Sequence, residues 1–221
     1  MQRDLEFLSG SIGGRPRLLD VGGRKSPYTV GLRADITIVE LPRVSAVQER
    51  LHLGWTESVM AEIRRRRSNI TGLILEDMTQ STLPDGAFDG VISVEVIEHV
   101  PDDVAFVGQI ARVCRSGGFA YFTTPNGDYI KNEPPHYNPD HIRHYTRDNL
   151  ERLLSKDFST VSVKYGVRTG KHRVRGIRGM SVKRPVRTMV AMISNLINRW
   201  ESQGLDDSGQ RTAHLFAICR K

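Results

Sequence analysis

The sequence is poor in cysteine, with only Cys114 and Cys219 among 221 residues. Two thiols cannot build a disulfide framework, and no zinc-type spacing accompanies them, so a reducing cytoplasm is the expected setting. Long apolar runs are missing too. No stretch approaches the ~18 residues a transmembrane helix requires. Residues 1–14 carry Asp4 and Glu6 where a secretory leader would have an apolar core. Aromatic residues make up 7%, and no RNA-stacking module is visible, which counts against an RNA partner. The dinucleotide fingerprint G-x-G-x-x-G is lacking as well, because Arg24 and Lys25 follow the glycine pair Gly22-Gly23.

Acidic residues are absent from Lys164 to Arg187, a segment that holds nine Lys or Arg. The chain as a whole carries 32 basic and 25 acidic residues, a net charge of +7. Such a segment suits an anionic partner, which includes nucleic acid, a phosphorylated substrate or a membrane surface. A solvated basic loop is the plain alternative. With 38% hydrophobic and 26% charged residues the composition is that of a globular protein. The length fits a single domain over residues 1–221.

Periodicity predicts a short helix around Asp4–Leu8 and strands at Arg17–Val21, Ile36–Glu40, Ile70–Glu76, Phe88–Val94, Phe119–Thr124, Ser159–Tyr165 and Ala213–Arg220. Helical sequence runs between Val44 and Arg67, broken near Gly54. Pro101 is read as the opening residue of a helix with Val104, Val107, Ile110, Ala111 and Cys114 on one face, ended by Gly117-Gly118. Thr146 caps a further helix reaching about Ser155. Strands alternating with helices imply an α/β fold with a mostly parallel sheet and helices on both faces. The last two strands lack a crossover pattern and are expected to form an antiparallel edge hairpin, with a basic insertion at about 166–210 between them.

The run Leu18-Leu19-Asp20-Val21-Gly22-Gly23 is a strand feeding a glycine turn, and Glu40 ends the next strand. In a nucleotide-binding sheet this layout sets a carboxylate beside the two ribose hydroxyls, from which it accepts two hydrogen bonds. A pyrophosphate needs the close backbone approach of further glycines; a nucleoside without phosphates does not. Glu76-Asp77-Met78 closes the third strand, Leu83-Pro84-Asp85-Gly86-Ala87-Phe88-Asp89 leads into the fourth, and Val94-Glu95-Val96-Ile97-Glu98-His99-Val100-Pro101-Asp102 follows it. Ala111-Arg112-Val113, Gly117-Gly118 and Thr124-Pro125-Asn126 come next.

In this order, residues 17–165 resemble class I S-adenosylmethionine-dependent methyltransferases, in particular the branch with ubiquinone-type, glycan and natural-product O-methyltransferases. The segment 77–126 is the most specific part. The resemblance implies a Rossmann-like sheet of seven strands and S-adenosylmethionine as cofactor. It implies that Asp20, Gly22 and Gly23 form the first motif at the methionine end, and that Glu40 binds the ribose. It further implies that Asp77 meets the adenine amino group with Met78 on the ring, and that Ser93 and Glu95 line the methionine pocket. The family pattern is acid-x-Gly-x-Gly-x-Gly, and Arg24 and Ser26 stand at its second and third glycines.

Methyl transfer from a sulfonium is an in-line displacement, governed by alignment and, for an oxygen acceptor, by removal of its proton. His99 follows the fourth strand, and His136, His141 and His144 lie in the loop after the fifth. His99, His141 and His144 are the candidate bases. Glu95, Glu98 and His99 form an E-x-x-E-H cluster that resembles the divalent-ion site of small-RNA 2′-O-methyltransferases and some ubiquinone-pathway enzymes. The expectation taken here is a metal-free reaction. Within the insertion, Met189, Val190, Ile193, Leu196, Ile197 and Trp200 fall at helical spacing, which suits a lid, a dimer contact, a peripheral membrane contact or a stripe packed on the sheet. The reading that follows is methyl transfer to an oxygen of a small or lipid-linked acceptor, a sugar or phenolic compound, including anionic and glycolipid acceptors. The alternatives are an RNA methyltransferase and a non-catalytic nucleoside-binding pseudoenzyme. The oligomeric state is not legible.

Overall fold

The computed structural model describes residues 1–23, 27–41, 61, 63, 65, 67–134, 137–169, 185–203 and 207–221, apart from the side chain of Arg187. Most of the helical pattern expected over 44–67, together with Arg24, Lys25, Ser26, His136 and most of the basic segment, lies outside these residues.

The apolar runs pair as strands β1 (Arg17–Val21), β2 (Asp35–Glu40), β3 (Ile70–Leu75), β4 (Phe88–Val94), β5 (Cys114–Pro125), β6 (Thr160–Arg168) and β7 (Thr212–Arg220). They form one sheet in the order β3-β2-β1-β4-β5-β7-β6. Strands β1 to β5 pair in parallel, and β7 runs antiparallel to both β5 and β6. The C-terminal pair forms the expected antiparallel edge, with β6 outermost and β7 between it and β5. The helices described over their full length are α1 (Gln2–Gly10), α2 (Asp103–Val113), α3 (Arg147–Leu154) and α4 (Pro185–Glu201); residues 61, 63 and 65 are helical as well.

Strand periodicity sorts the core onto two faces. Leu18, Ile92, Phe119 and Tyr121 pack with Leu5 and Leu8 of α1. Leu19, Val91, Ala120 and Phe122 pack with Phe106, Val107 and Ile110 of α2 and Leu150 and Leu154 of α3. Each buried Leu, Ile, Val or Phe among them contributes ~1.5–3 kcal/mol relative to exposure. The two layers give a Rossmann-like sheet covered on both sides, as the sequence implied.

Three local expectations are corrected. Pro101 is not the first helical residue; Asp102 caps α2, its side chain accepting from Ala105 N at 2.9 Å. A carboxylate at the cap satisfies an orphan N–H, which proline does not. Val104 is 50% exposed, because the buried face of α2 is centred on Phe106, Val107 and Ile110. Gly117-Gly118 does not end α2. The helix stops at Val113 and β5 begins at once with Cys114. Gly117 takes a φ of 73° within the strand, and a Cβ on Gly118 would lie 2.8 Å from the Arg115 and Asp89 carbonyl oxygens. The α3 cap is as read: Thr146 Oγ1 accepts from Asn149 N at 3.2 Å.

Register sets what the sheet presents at its C-terminal edge. Val21 is level with Val39 on one side and Ser93 on the other, and Glu40 is level with Leu75. The order in which strands are added to the sheet reverses between β1 and β4, which run parallel, so the turn after β1 opens at the switch point where open α/β sheets bind ligands.

Candidate nucleoside and methyl-transfer site

Gly22 follows β1 with a φ of 71°, a conformation that favours glycine. A Cβ there would come 2.7 Å from a Val96 methyl, and one on Gly23 would fall 2.2 Å from the Asp20 carboxyl carbon. The turn is therefore pressed onto its own floor. Asp20 is that floor. It is fully buried, and its Oδ2 accepts from Thr29 Oγ1 at 2.7 Å with Arg67 Nη2 at 3.8 Å. Burial raises its carboxyl to about 6; the Thr29 hydrogen bond and the Arg67 charge oppose this, and the Glu40 charge adds to it. Arg67 also donates to Gly23 O at 3.1 Å and to Thr29 Oγ1, so one guanidinium ties strand end, turn and loop together. Asp20 Oδ1 has no hydrogen bond among the described residues.

Glu40 and Asp77 stand where the next two strands end. Glu40 closes β2 half-buried, and its carbonyl accepts from Glu76 N at 3.1 Å. Asp77 is exposed and caps the short turn Met78–Gln80, its Oδ1 accepting from both Thr79 N and Thr79 Oγ1 at 2.8 Å. Its other oxygen has no hydrogen bond among the described residues, which suits a ligand's donor. Met78 is buried in the apolar cluster beneath this edge. Ser93, at the end of β4, is buried with no hydrogen bond to Oγ among the described residues. An orphaned hydroxyl, a glycine turn and two strand-end carboxylates fit a nucleoside with an amino-acid tail: acceptors for ribose and adenine donors, and a turn without side chains to obstruct close approach.

Glu95 follows β4 with a φ of 54°, an uncommon conformation for a non-glycine residue. Its Oε1 accepts from Thr123 Oγ1 at 2.8 Å and lies 3.1 Å from His214 Nδ1. Burial would raise its carboxyl, but the hydrogen bonds from His214 and Thr123 and the charges of His214 and His141 outweigh that and hold it below the usual range. Glu98 is the opposite case. It is fully buried, and burial followed by the Glu95 charge pushes it up to about 8. Its Oε2 accepts from Thr124 Oγ1 at 3.1 Å, and Oε1 has no hydrogen bond among the described residues. One carboxylate is thus held charged and its neighbour neutral near pH 7, a separation that active sites use to assign different proton roles.

The histidines converge on this pair. His99 Nδ1 lies 2.7 Å from the Asp140 carbonyl, so Nδ1 carries the proton and Nε2 is left with its lone pair, 4.0 Å from Glu98 Oε1. His144 Nδ1 lies 2.7 Å from the Ile130 carbonyl, and His144 Nε2 therefore accepts from His141 Nδ1 at 2.7 Å. His141 Nε2 is then the unprotonated nitrogen of the relay. Burial, followed by the charges of His99 and His144, lowers the His141 pKa. The loop carrying these rings is pinned by Ile142 N donating to Glu98 O at 2.8 Å and by the Asn132 amide donating to His141 O at 2.8 Å. Donor atoms of Glu98, His99 and His141 all lie within 4.8 Å of one another. This N,N,O set could hold a divalent ion if Glu98 were ionised.

The structure therefore groups Glu95, Glu98, His99, His141 and His144 at the ends of β4 and β5. Asp20, Gly22, Gly23, Glu40, Asp77, Met78 and Ser93 line the ends of β1 to β4. Sequence reasoning missed Thr29, Arg67 and His214. Arg67 is visible in the sequence only as the end of a helical stretch, and the final strand gives no sign that His214 reaches Glu95. Thr124 opens the Thr124-Pro125-Asn126 motif and Thr123 precedes it, but the sequence does not show them as donors to the two glutamates.

A family model described as a methyltransferase domain matches residues 1–158. The "Ubiquinone biosynthesis O-methyltransferase" of Bordetella avium is 34% identical over 125 residues, covering 55% of this chain and 47% of the relative. A "Probable S-adenosylmethionine-dependent methyltransferase" of Mycobacterium tuberculosis is 30% identical over 125 residues, 56% of this chain and 43% of the relative. The chain thus spans less than half the length of these curated relatives. A crystal structure of a SAM-dependent methyltransferase from Archaeoglobus fulgidus superposes with a TM-score of 0.60 at 14% identity, covering 100% of this chain and 95% of that one. Phosphoethanolamine N-methyltransferase 2 of Haemonchus contortus, in complex with S-adenosyl-L-methionine, gives 0.57 at 13% identity, covering 99% of this chain and 52% of that one. At such identity these two likenesses speak to the fold. With the family model spanning most of its length, the chain belongs to the class I S-adenosylmethionine-dependent methyltransferases.

Proposed function

We propose that this chain transfers the methyl group of S-adenosylmethionine to a hydroxyl oxygen of a small or lipid-linked acceptor, a sugar or phenolic compound. The cofactor supplies a methyl carbon made electrophilic by its sulfonium. The chain's own residues do the rest. Glu40 accepts hydrogen bonds from the ribose hydroxyls and Asp77 from the adenine amino group. Gly22 and Gly23 admit the ligand close to the backbone, while Ser93 and Glu95 contact the methionine end. Asp20 acts from below, keeping the turn in place with Thr29 and Arg67.

The observation that carries the oxygen reading is the histidine relay. An alcohol or phenol must lose its proton as the new carbon–oxygen bond forms, and His141 offers an unprotonated Nε2 whose other nitrogen is tied to His144. A lowered pKa keeps that ring neutral, and so competent as a base, at neutral pH. The named activity of the Bordetella relative supports the same acceptor chemistry.

One observation favours a second version of this reaction. Glu98 Oε1 is buried without a hydrogen bond among the described residues, beside two imidazoles with fixed tautomers. Glu98, His99 and His141 would hold a divalent ion there, which would acidify the acceptor hydroxyl.

The test is direct. Purified protein is incubated with S-adenosylmethionine and a panel of catechols, sugars and glycolipids, and products are read by mass spectrometry with fragmentation. A methyl on oxygen supports the proposal; a methyl placed only on nitrogen or carbon would overturn it.

A further inference from the structure

Helix α4 is inverted relative to an ordinary surface helix. A helix lying on a globular body normally buries an apolar stripe and shows polar residues to water. Here the residues buried against the body are Ala191, Ser194 and Asn198. Their anchorage is polar: the Asn198 amide donates to Arg168 O at 2.6 Å, and Arg168 N donates to Ser202 Oγ at 2.9 Å. The opposite arc carries Met189, Met192, Ile193, Leu196 and Trp200, all exposed, with Leu196 at 63% and Trp200 at 73%. Met189, Met192 or Ile193, Leu196 and Trp200 follow one another at three- or four-residue spacing, so they form one continuous band along the helix. An apolar band of this length, facing away from the core, marks a docking surface.

Charge selects what it docks on. The helix carries no acid before Glu201, and Arg199 is exposed near its end. The sequence between β6 and the helix supplies six cations, Lys171, Arg173, Arg175, Arg178, Lys183 and Arg184, without one acid. A second copy of this chain would bring the same +7 and the same basic segment to the contact, and like charges would oppose it. An RNA would satisfy the cations and leave the methionines and leucine uncovered. An anionic bilayer satisfies both: acyl chains take the apolar band, and lipid phosphates take the cations. No described helix is long and apolar enough to cross a membrane, so the contact lies in the plane of the surface.

We infer that α4 is an interfacial helix that seats the protein on anionic phospholipid. The inference stands apart from the identity of the methyl acceptor.

Vesicle co-sedimentation tests it. The full chain should pellet with vesicles containing phosphatidylglycerol at low salt, at least tenfold more than with pure phosphatidylcholine. Binding should fall severalfold in high salt, because surface charges are screened beyond ~8–10 Å near physiological ionic strength. Leu196→Asp with Trp200→Asp should abolish pelleting, and Arg173→Glu, Arg175→Glu and Arg178→Glu together should weaken it about tenfold. S-adenosylhomocysteine binding by each variant checks that the fold is retained. Failure of the unaltered chain to pellet with anionic vesicles overturns the inference. So does pelleting that is unaffected by the Leu196/Trp200 pair. A dimer in light scattering that the same pair dissociates, without vesicle binding, would assign the band to a second copy instead.

Discussion

His141 Nδ1 donates to His144 Nε2 across 2.7 Å, and His144 Nδ1 in turn faces the Ile130 carbonyl at the same distance. The backbone carbonyl therefore decides, two bonds away, which nitrogen of His141 is basic. In the proposed reaction His144 is a positioning residue and His141 the proton acceptor.

His141→Ala should lower kcat by about 10²- to 10⁴-fold, the usual worth of a general base. His144→Phe, which leaves His141 Nδ1–H without its acceptor, should cost about 10- to 100-fold, as loss of a supporting partner commonly does. His144→Gln retains an acceptor and should recover part of that loss. Because the His141 pKa is lowered by burial and the neighbouring rings, kcat/KM should rise with pH and level off before the ordinary histidine range is passed. The His144→Phe profile should be displaced. A profile identical to that of the unaltered protein would make His144 merely structural.

Glu98 gives a pH signature in stability. Its carboxyl stands at 4.5 in an ordinary setting and at about 8 in the fold. Between these values the folded chain holds a proton that the unfolded chain has released, so stability falls as pH rises through that window. Asp20, raised from 3.8 to about 6, acts in the same direction over its own window. Glu98→Gln removes the larger effect while keeping an acceptor for Thr124. The variant should gain in Tm relative to the unaltered protein as pH goes from 5 to 8. A constant difference across that range would contradict the assignment.

The glycine turn is sensitive for a steric reason. Gly23→Ala places a methyl 2.2 Å from the Asp20 carboxyl carbon, so turn or carboxylate must shift. Cofactor affinity should fall by at least tenfold with little loss of α-helical and β-sheet circular dichroism. Unaltered affinity would mean that the turn does not contact the ligand.

Turnover is expected to survive EDTA, with the histidines handling the proton unaided. If chelation abolishes it and Mg²⁺ or Mn²⁺ restores it, Glu98, His99 and His141 hold an ion and the second version of the mechanism is correct.

What the sequence disclosed, and what it hid, follows the range of the interactions involved. β4 occupies Phe88–Val94, the span that its apolar run predicts, because Asp85-Gly86 and Glu95 bracket that run locally. The Thr146 cap was legible for the same reason. Gly117-Gly118 misled, since a glycine pair marks unusual backbone without saying whether a helix stops or a strand bends. The insertion of β7 between β5 and β6 depends on pairings more than 90 residues apart, such as Thr123 with Phe216. The Asp20–Thr29–Arg67 and Glu95–His214 contacts are likewise nonlocal. Among the histidines, position after strand ends was visible in the sequence, whereas the relay from His141 to His144 required the loop's own fold.

The central claim is that the ends of β1, β2 and β3 hold S-adenosylmethionine through Glu40 and Asp77. Isothermal titration of the purified chain with S-adenosylhomocysteine tests it most directly. The account predicts saturable binding at one site per chain, weakened about 10- to 150-fold in Glu40→Ala or Asp77→Ala, as loss of a charged hydrogen bond worth ~1.5–3 kcal/mol requires. Absence of binding at millimolar ligand, or affinity unchanged in both variants, would contradict it.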